Sequence, residues 1–139
     1  MPTSAYTKYT SGAEALAESI NAGTAAWKVA LANTVNLADT SFTPGTTDLA
    51  TGGGYTQGGA AAATSSPTNV AGVYKLVLAD PATWTGSADG FGPFRYAILY
   101  DSTTNIPVGH WDYGSSISVG TGETFTVELS AADGVFTIT

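Results

Sequence analysis

The chain has 139 residues, enough for one domain with its own core, and the absence of cysteine excludes disulfides and thiolate metal sites. Eleven acidic residues outweigh four basic ones, so the formal net charge is −7. Such a chain lacks the basic patch that releases counterions from nucleic acid, and we expect no nucleic-acid partner. No run approaches 18 apolar residues and residues 1–10 have no signal-like apolar region, so we also expect no membrane partner.

The first ten residues mix polar and aromatic side chains without a settled period, and they include Pro2, Tyr6 and Tyr9. Either a flexible arm or a first strand would fit this pattern. Because terminal segments stay mobile unless they are tied down, we predict an N-terminal contact arm over residues 1–10. A single β-rich domain is then expected over residues 11–139.

One short helix is predicted at the start of that domain. Ser11 and Glu14 have the spacing of a capping box, in which each side chain satisfies a backbone donor of the other residue. Apolar residues then recur at helical spacing up to Gly23, a plausible C′ residue. We therefore predict a helix over residues 12–22.

After Gly23 the apolar period changes from helical spacing to two, which predicts strands. The predicted strands cover residues 26–33, 73–79, 94–100, 108–113, 124–129 and 135–139, with a turn at residues 101–107. The alanine run at residues 60–63 is a further candidate strand, whose small side chains would allow close approach. This spacing favours a mainly β fold, either an antiparallel sandwich or a jelly-roll-like barrel, with one short N-terminal helix.

Residues 34–59 lack a regular pattern and are predicted to form a long loop, in which the run Gly52–Gly54 is interpreted as flexible. Tyr55 follows that run. Aromatic residues in unpatterned segments are plausible interface anchors, because a tyrosine ring buries much area with few torsions to freeze. We therefore take Pro2, Tyr6, Tyr9 and Tyr55 as candidate partner-binding residues.

The sequence shows no catalytic motif, and we predict that the protein is not an enzyme. His110 is the only histidine, and no serine lies in a G-x-S-x-G elbow. Asp80, Asp89 and Asp101 are interpreted as turn residues, whereas Asp112 is expected to pair with Arg95 or Lys75 across a sheet.

We predict neither a metal nor a cofactor. One histidine without cysteine excludes ordinary zinc clusters, and no calcium-loop motif is present. A calcium ion held by Asp101 and Asn105 is less favoured than a plain Asx turn. The glycine run 52–54 lacks the lysine and the helix of a phosphate-binding loop.

Most aromatic residues fall on predicted strands, where core packing is the favoured interpretation. The alternative is a row of exposed rings that grips sugar, as in a carbohydrate-binding module. The residues in question are Trp27, Trp84, Trp111, Phe94, Tyr96, Tyr100 and Tyr113.

Six segments together resemble a family of small virion structural proteins of tailed phages. They are AWKVALANT (26–34), GGGYTQGG (52–59), YKLVLADPATW (74–84), GPFRYAILY (92–100), GHWDYGSSI (109–117) and GETFTVEL (122–129). The segments have the same order and spacing as in that family, and they follow a similar short helix.

The resemblance implies a capsid decoration (cement) protein on the outer surface of the virion head. The implied partners are the major capsid protein and further copies of the chain, with a trimer expected from the three-fold sites of icosahedral shells. It implies no catalytic or metal-binding residues. A tail or fibre component and a carbohydrate-binding module remain the alternatives.

Overall fold

The structure is a computed structural model that describes residues 5–65 and 68–138. This part of the chain contains one helix and ten strands. In chain order they are β1 (Thr7–Lys8), α1 (Gly12–Glu18), β2 (Trp27–Ala32), β3 (Ala60–Ala61), β4 (Thr68–Val70), β5 (Val73–Leu76), β6 (Trp84–Thr85), β7 (Phe91–Asp101), β8 (Ile106–Val119), β9 (Thr124–Phe125) and β10 (Phe136–Ile138).

The strands form three antiparallel sheets. The main sheet has the order β1-β8-β7-β2-β3, and two smaller sheets have the orders β10-β5-β4 and β6-β9. Within the described residues no sheet closes into a barrel. The predicted mainly β fold with one short helix is therefore confirmed, and its form is consistent with a sandwich.

The core lies on both faces of the main sheet. Trp27, Val29 and Leu31 of β2 share one face, as their period of two predicts, and pack with residues of the smaller sheets. Ala30 and Ala32 point to the opposite face and are also buried, because Phe42 of the long loop covers them. The main sheet is thus covered on one side by strands and on the other by loop.

The N-terminal segment corrects the prediction of an arm over residues 1–10. Thr7 and Lys8 form β1 and pair with His110 and Gly109 of β8. Tyr9 is fully buried, and its backbone N–H donates to the carbonyl of Val108. Residues 5–10 therefore belong to the domain, because a buried ring and backbone pairing tie this terminus down. Residues 1–4 lie outside the described part of the chain.

Helix α1 is shorter than predicted, ending at Glu18 rather than at residue 22. Ser11 is the N-cap residue but makes no side-chain capping hydrogen bond, so the predicted capping box is not formed. At the other end the N–H of Ile20 donates to the carbonyl of Ala15, and Ile20 turns into the core. Burial of Ile20 therefore ends the helix before the glycine signal is reached.

Gly53 and Gly54 lie in a close-packed crossing, which corrects the interpretation of the run Gly52–Gly54 as a flexible loop, although a Cβ atom on Gly52 would meet no atom within 4 Å. A Cβ atom on Gly53 would overlap the carbonyl oxygen of Gly90, and one on Gly54 would overlap that of Thr85. Gly53 and Gly54 are thus required because two backbones approach there without room for a side chain. The prediction that residues 34–59 form a long loop without regular strands agrees with the structure.

The predicted strand at residues 124–129 stops early. Backbone pairing between β6 and β9 ends at Trp84 and Phe125, and the hydroxyls of Thr83 and Thr126 then meet at 2.8 Å. The Asp80 carboxylate accepts a hydrogen bond from the N–H of Leu129 at 2.7 Å. Asp80 was expected to stabilise a turn, but here it binds the irregular segment at 126–135. The segment at 126–135 leaves the sheets as irregular chain and lines a groove against the main sheet.

Candidate functional site

A groove runs between the β7–β8 part of the main sheet and the irregular segment at 126–135. Its volume is about 440 Å³, within the range of about 300–1,000 Å³ that is typical of small-molecule sites. Aromatic rings of the sheet side line it together with apolar and polar residues of the irregular segment, the polar ones being Glu128, Ser130 and Asp133. We call this feature the aromatic groove.

Three half-buried rings, those of Tyr6, Trp111 and Tyr113, line the aromatic groove. Tyr6 and Trp111 meet edge to face with their centroids 5.5 Å apart, and the Tyr6 hydroxyl donates to the carbonyl of Val108 at 3.1 Å. The ring of Tyr113 lies 6.0 Å from that of Phe125. These contacts hold the rings in place before any ligand arrives, which reduces the entropy lost on binding.

Local irregularity in β8 places these rings. Gly109 leaves room for the Tyr6 ring, which a Cβ atom at that position would overlap. Further along, Phe94 pairs with Ile117 and Tyr96 with Asp112, so residues 113–116 of β8 stand opposite Arg95 alone. Such a bulge re-aims the side chains that it carries, here including Tyr113.

Arg95 and Asp112 form a bidentate ion pair beside the groove, with N–O distances of 2.7 and 3.0 Å. The predicted pairing of Asp112 with Arg95 is therefore confirmed. The hydrogen bond from Arg95 lowers the pKa of Asp112 to about 2, with a further contribution from the N–H of Gly114. The Arg95 guanidinium also lies 5.5 Å from the centroid of the Tyr96 ring, so its plane is fixed from two sides.

The four predicted partner-binding residues do not form one site. Tyr6 lines the aromatic groove, whereas Tyr9 and Tyr55 are 0% and 1% exposed and cannot serve as surface anchors. Their assignment is wrong, because each ring is enclosed by packing within its own chain. Pro2 lies outside the described residues.

Trp111 and Tyr113 are among the rings for which the sequence left a sugar-binding row as the alternative to core packing, whereas Glu128, Asp133 and the groove position of Arg95 were missed. Core packing was the favoured interpretation for Trp111 and Tyr113 because they lie on a predicted strand. Their i, i+2 spacing around Asp112 was the available signal, since a strand places both rings on one face. Nothing local indicated that Glu128 and Asp133 would lie opposite them.

The turn at Asp101 has the expected structural role. The Asp101 carboxylate accepts hydrogen bonds from the N–H groups of Thr103 and Thr104 and from the Thr104 hydroxyl. This is an Asx-type turn. Across the described residues no group of three or more potential ligands could hold a metal ion.

His110 lies in the interior on the face of the main sheet opposite the groove. Its ring meets those of Tyr9 and Tyr96 edge to face, with centroids 6.1 and 5.4 Å apart. No hydrogen-bond partner among the described residues reaches its Nδ1 atom. Burial lowers the pKa of His110, an effect that the carboxylate of Asp112 only partly opposes. This setting favours a packed, neutral imidazole over a group that transfers protons.

We expect the protein to lose stability as the pH falls from 7 to 5. Because the pKa of folded His110 lies below the ordinary value of about 6.5, the unfolded chain binds the proton first, and acid favours unfolding. Denaturant titrations at several pH values measure the slope of the free energy of unfolding against pH. The variant His110→Phe keeps a planar ring and should show a shallower slope. An unchanged slope in that variant would show that His110 is not the titrating group.

No protein-family model, no curated protein and no solved structure matches this chain. Among the residues that the structure covers, the one helix, α1, is not long and apolar enough to cross a membrane.

Proposed function

We propose that the chain is a structural protein of a tailed-phage virion, and specifically a decoration protein on the outer surface of the head. It binds the major capsid protein and acts as a homo-oligomer, with a trimer as the expected state. It strengthens the shell through contacts and performs no catalysis.

The observation that carries this proposal is where the phage-like segments lie in the fold. Segments 26–34, 92–100 and 109–117 contain β2 and most of β7 and β8, the three inner strands of the main sheet. Segment 52–59 contains the close-packed glycines and Tyr55. The resemblance thus concerns residues that determine the fold, which supports a shared architecture with virion proteins.

The distribution of basic residues supports a position on the outside of the head. Lys8 lies on an edge strand, Lys75 donates to the carbonyl of Ala132, and Arg95 is paired with Asp112. Lys28 is half-buried on β2, and two strands, β8 and β7, lie between it and Lys8. Dispersed in this way, the four cations offer little to densely packed phosphates, and a net charge of −7 repels them.

Shell stability is the property to measure. Virions of a phage that encodes this chain, prepared with the gene deleted, should release DNA at a lower temperature than intact virions. A ligand that binds only the assembled shell stabilises it by mass action, so purified protein should restore the release temperature. Its binding should saturate at a fixed number of copies per head.

Two results would contradict the proposal. Deleted virions could release DNA at the same temperature as intact ones, or a density map could place the chain on the inner wall against the genome. Density on the tail instead would favour the alternative of a tail or fibre component.

A further inference from the structure

We propose that the aromatic groove binds a neutral oligosaccharide. This inference does not depend on the proposed role in the virion, because it rests only on the geometry and charges of the groove. The groove has the volume of a ligand site, rings that are held in place, and polar groups that face them.

The aromatic wall provides the first half of the recognition. The faces of aromatic rings carry negative charge density, and one face of a pyranose ring presents C–H groups that are complementary to it. Trp111 is the half-exposed tryptophan, whereas Trp27 and Trp84 are 2% and 6% exposed. Trp111 and Tyr113 can therefore stack against sugar rings, with Tyr6 fixing the orientation of Trp111.

The opposite wall provides the second half. Glu128, Ser130 and Asp133 are exposed and line the groove across from the rings. The Ser130 hydroxyl accepts from the N–H of Asp133 at 3.0 Å, which fixes the short turn that carries both side chains. Carboxylate oxygens are strong acceptors for sugar hydroxyls, because charge-assisted hydrogen bonds are the stronger ones.

The charges of the groove disfavour an acidic ligand. An anion would face the carboxylates of Glu128 and Asp133 and the net charge of −7, and the Arg95 guanidinium does not offset them because it is already paired with Asp112. A ligand rich in hydroxyl groups can donate to the carboxylates and accept from the guanidinium without carrying charge into the groove. Neutral oligosaccharides fit this requirement together with the aromatic stacking, and the cationic comparison ligand tests whether hydroxyl groups rather than charge carry the binding.

The test uses the purified full chain and neutral hexasaccharides of glucose, mannose, galactose or N-acetylglucosamine. Binding is followed by tryptophan fluorescence, to which half-exposed Trp111 is expected to contribute the change, and by isothermal titration calorimetry. Oligogalacturonate and tetramethylammonium are the anionic and cationic comparison ligands. At least one neutral hexasaccharide should bind, and both charged ligands should bind more weakly or not at all.

Variants locate the binding. Trp111→Ala should weaken binding by at least roughly tenfold, as expected for the loss of a central aromatic contact. Glu128→Gln and Asp133→Asn should each weaken it several-fold, and both positions are exposed, so these variants should fold even if Trp111→Ala does not. Glu18→Gln makes the same chemical change as Glu128→Gln on the exposed surface of α1 and should leave binding unchanged.

Three outcomes would overturn the inference. One is no response to any neutral hexasaccharide at concentrations up to roughly 10 mM. Another is preferential binding of tetramethylammonium or oligogalacturonate. The third is glycan binding that survives Glu128→Gln, Asp133→Asn and Trp111→Ala. None of these outcomes bears on shell stability, so the inference and the proposed virion role can fail separately.

Discussion

Replacing Tyr55 by phenylalanine is expected to destabilise the fold by about 3 kcal/mol, which corresponds to a melting temperature lower by roughly 10 °C. The substitution removes one hydroxyl group from a ring that is 1% exposed. That hydroxyl is at the centre of the hydrogen bonds that hold the long loop against the main sheet.

The Tyr55 hydroxyl donates to Oδ2 of Asp48 at 2.5 Å and accepts from the N–H of Leu31 at 3.0 Å. The Asp48 carboxylate also accepts from the N–H groups of Gly45 at 2.6 Å and Gly58 at 2.7 Å. Burial raises the pKa of Tyr55, and its hydrogen bond to Asp48 raises it further, so the hydroxyl remains a donor at all ordinary pH values. In Tyr55→Phe a buried carboxylate loses a donor and a strand N–H loses its acceptor, and both losses are expensive away from water.

Thermal and urea unfolding measure this effect. Tyr113→Phe is the matched control, because it removes the same hydroxyl from a half-buried ring in the aromatic groove and should change stability by less than about 1 kcal/mol. Equal losses in both variants would show that the Asp48–Tyr55 hydrogen bond does not hold the loop in solution.

Gly59→Ala is expected to be the more damaging substitution, with a loss of about 4 kcal/mol. Gly59 has a φ of +76°, where an L-residue is strained by roughly 1–2 kcal/mol. A Cβ atom would also overlap the carbonyl oxygen of Val29 in β2. Because β2 is an inner strand buried on both faces, it cannot shift to relieve this overlap, and overpacking adds roughly 1–3 kcal/mol.

Gly72→Ala separates the two contributions. Gly72 has nearly the same φ, +80°, but a Cβ atom there would have no neighbouring atom within 4 Å. This variant should therefore lose only the 1–2 kcal/mol or so of backbone strain. Urea unfolding of both variants gives the difference in stability loss. Losses of similar size would show that a Cβ atom at position 59 does not clash with the carbonyl of Val29.

The periodic elements could be predicted from the sequence. The alternation at Trp27, Val29 and Leu31 predicted β2 and the face that it buries, and the Asp101 turn followed from local side-chain chemistry. The pairing of Arg95 with Asp112 was among the expected pairs, because the two strands are joined by one short turn. In each case the interactions that decide the structure lie within a strand or between chain neighbours.

The irregular segments could not be predicted in this way. Tyr9 and Tyr55 were assigned to the surface because their neighbours show no period, yet one packs on β8 and the other on β2. Burial there is decided by partners such as His110, which is 101 positions away from Tyr9, and loop segments carry no signal for such partners. The same holds for the early end of β9 at Phe125.

The amino-acid sequence by itself therefore determined the composition, the acidic charge, the strand faces and the mainly β class. The tertiary structure alone decided which tyrosines are buried and where the aromatic groove lies. The physical reason is range: backbone periodicity is a local property, whereas Trp111 and Asp133 become neighbours of one groove only after the sheet and the irregular segment at 126–135 have packed together.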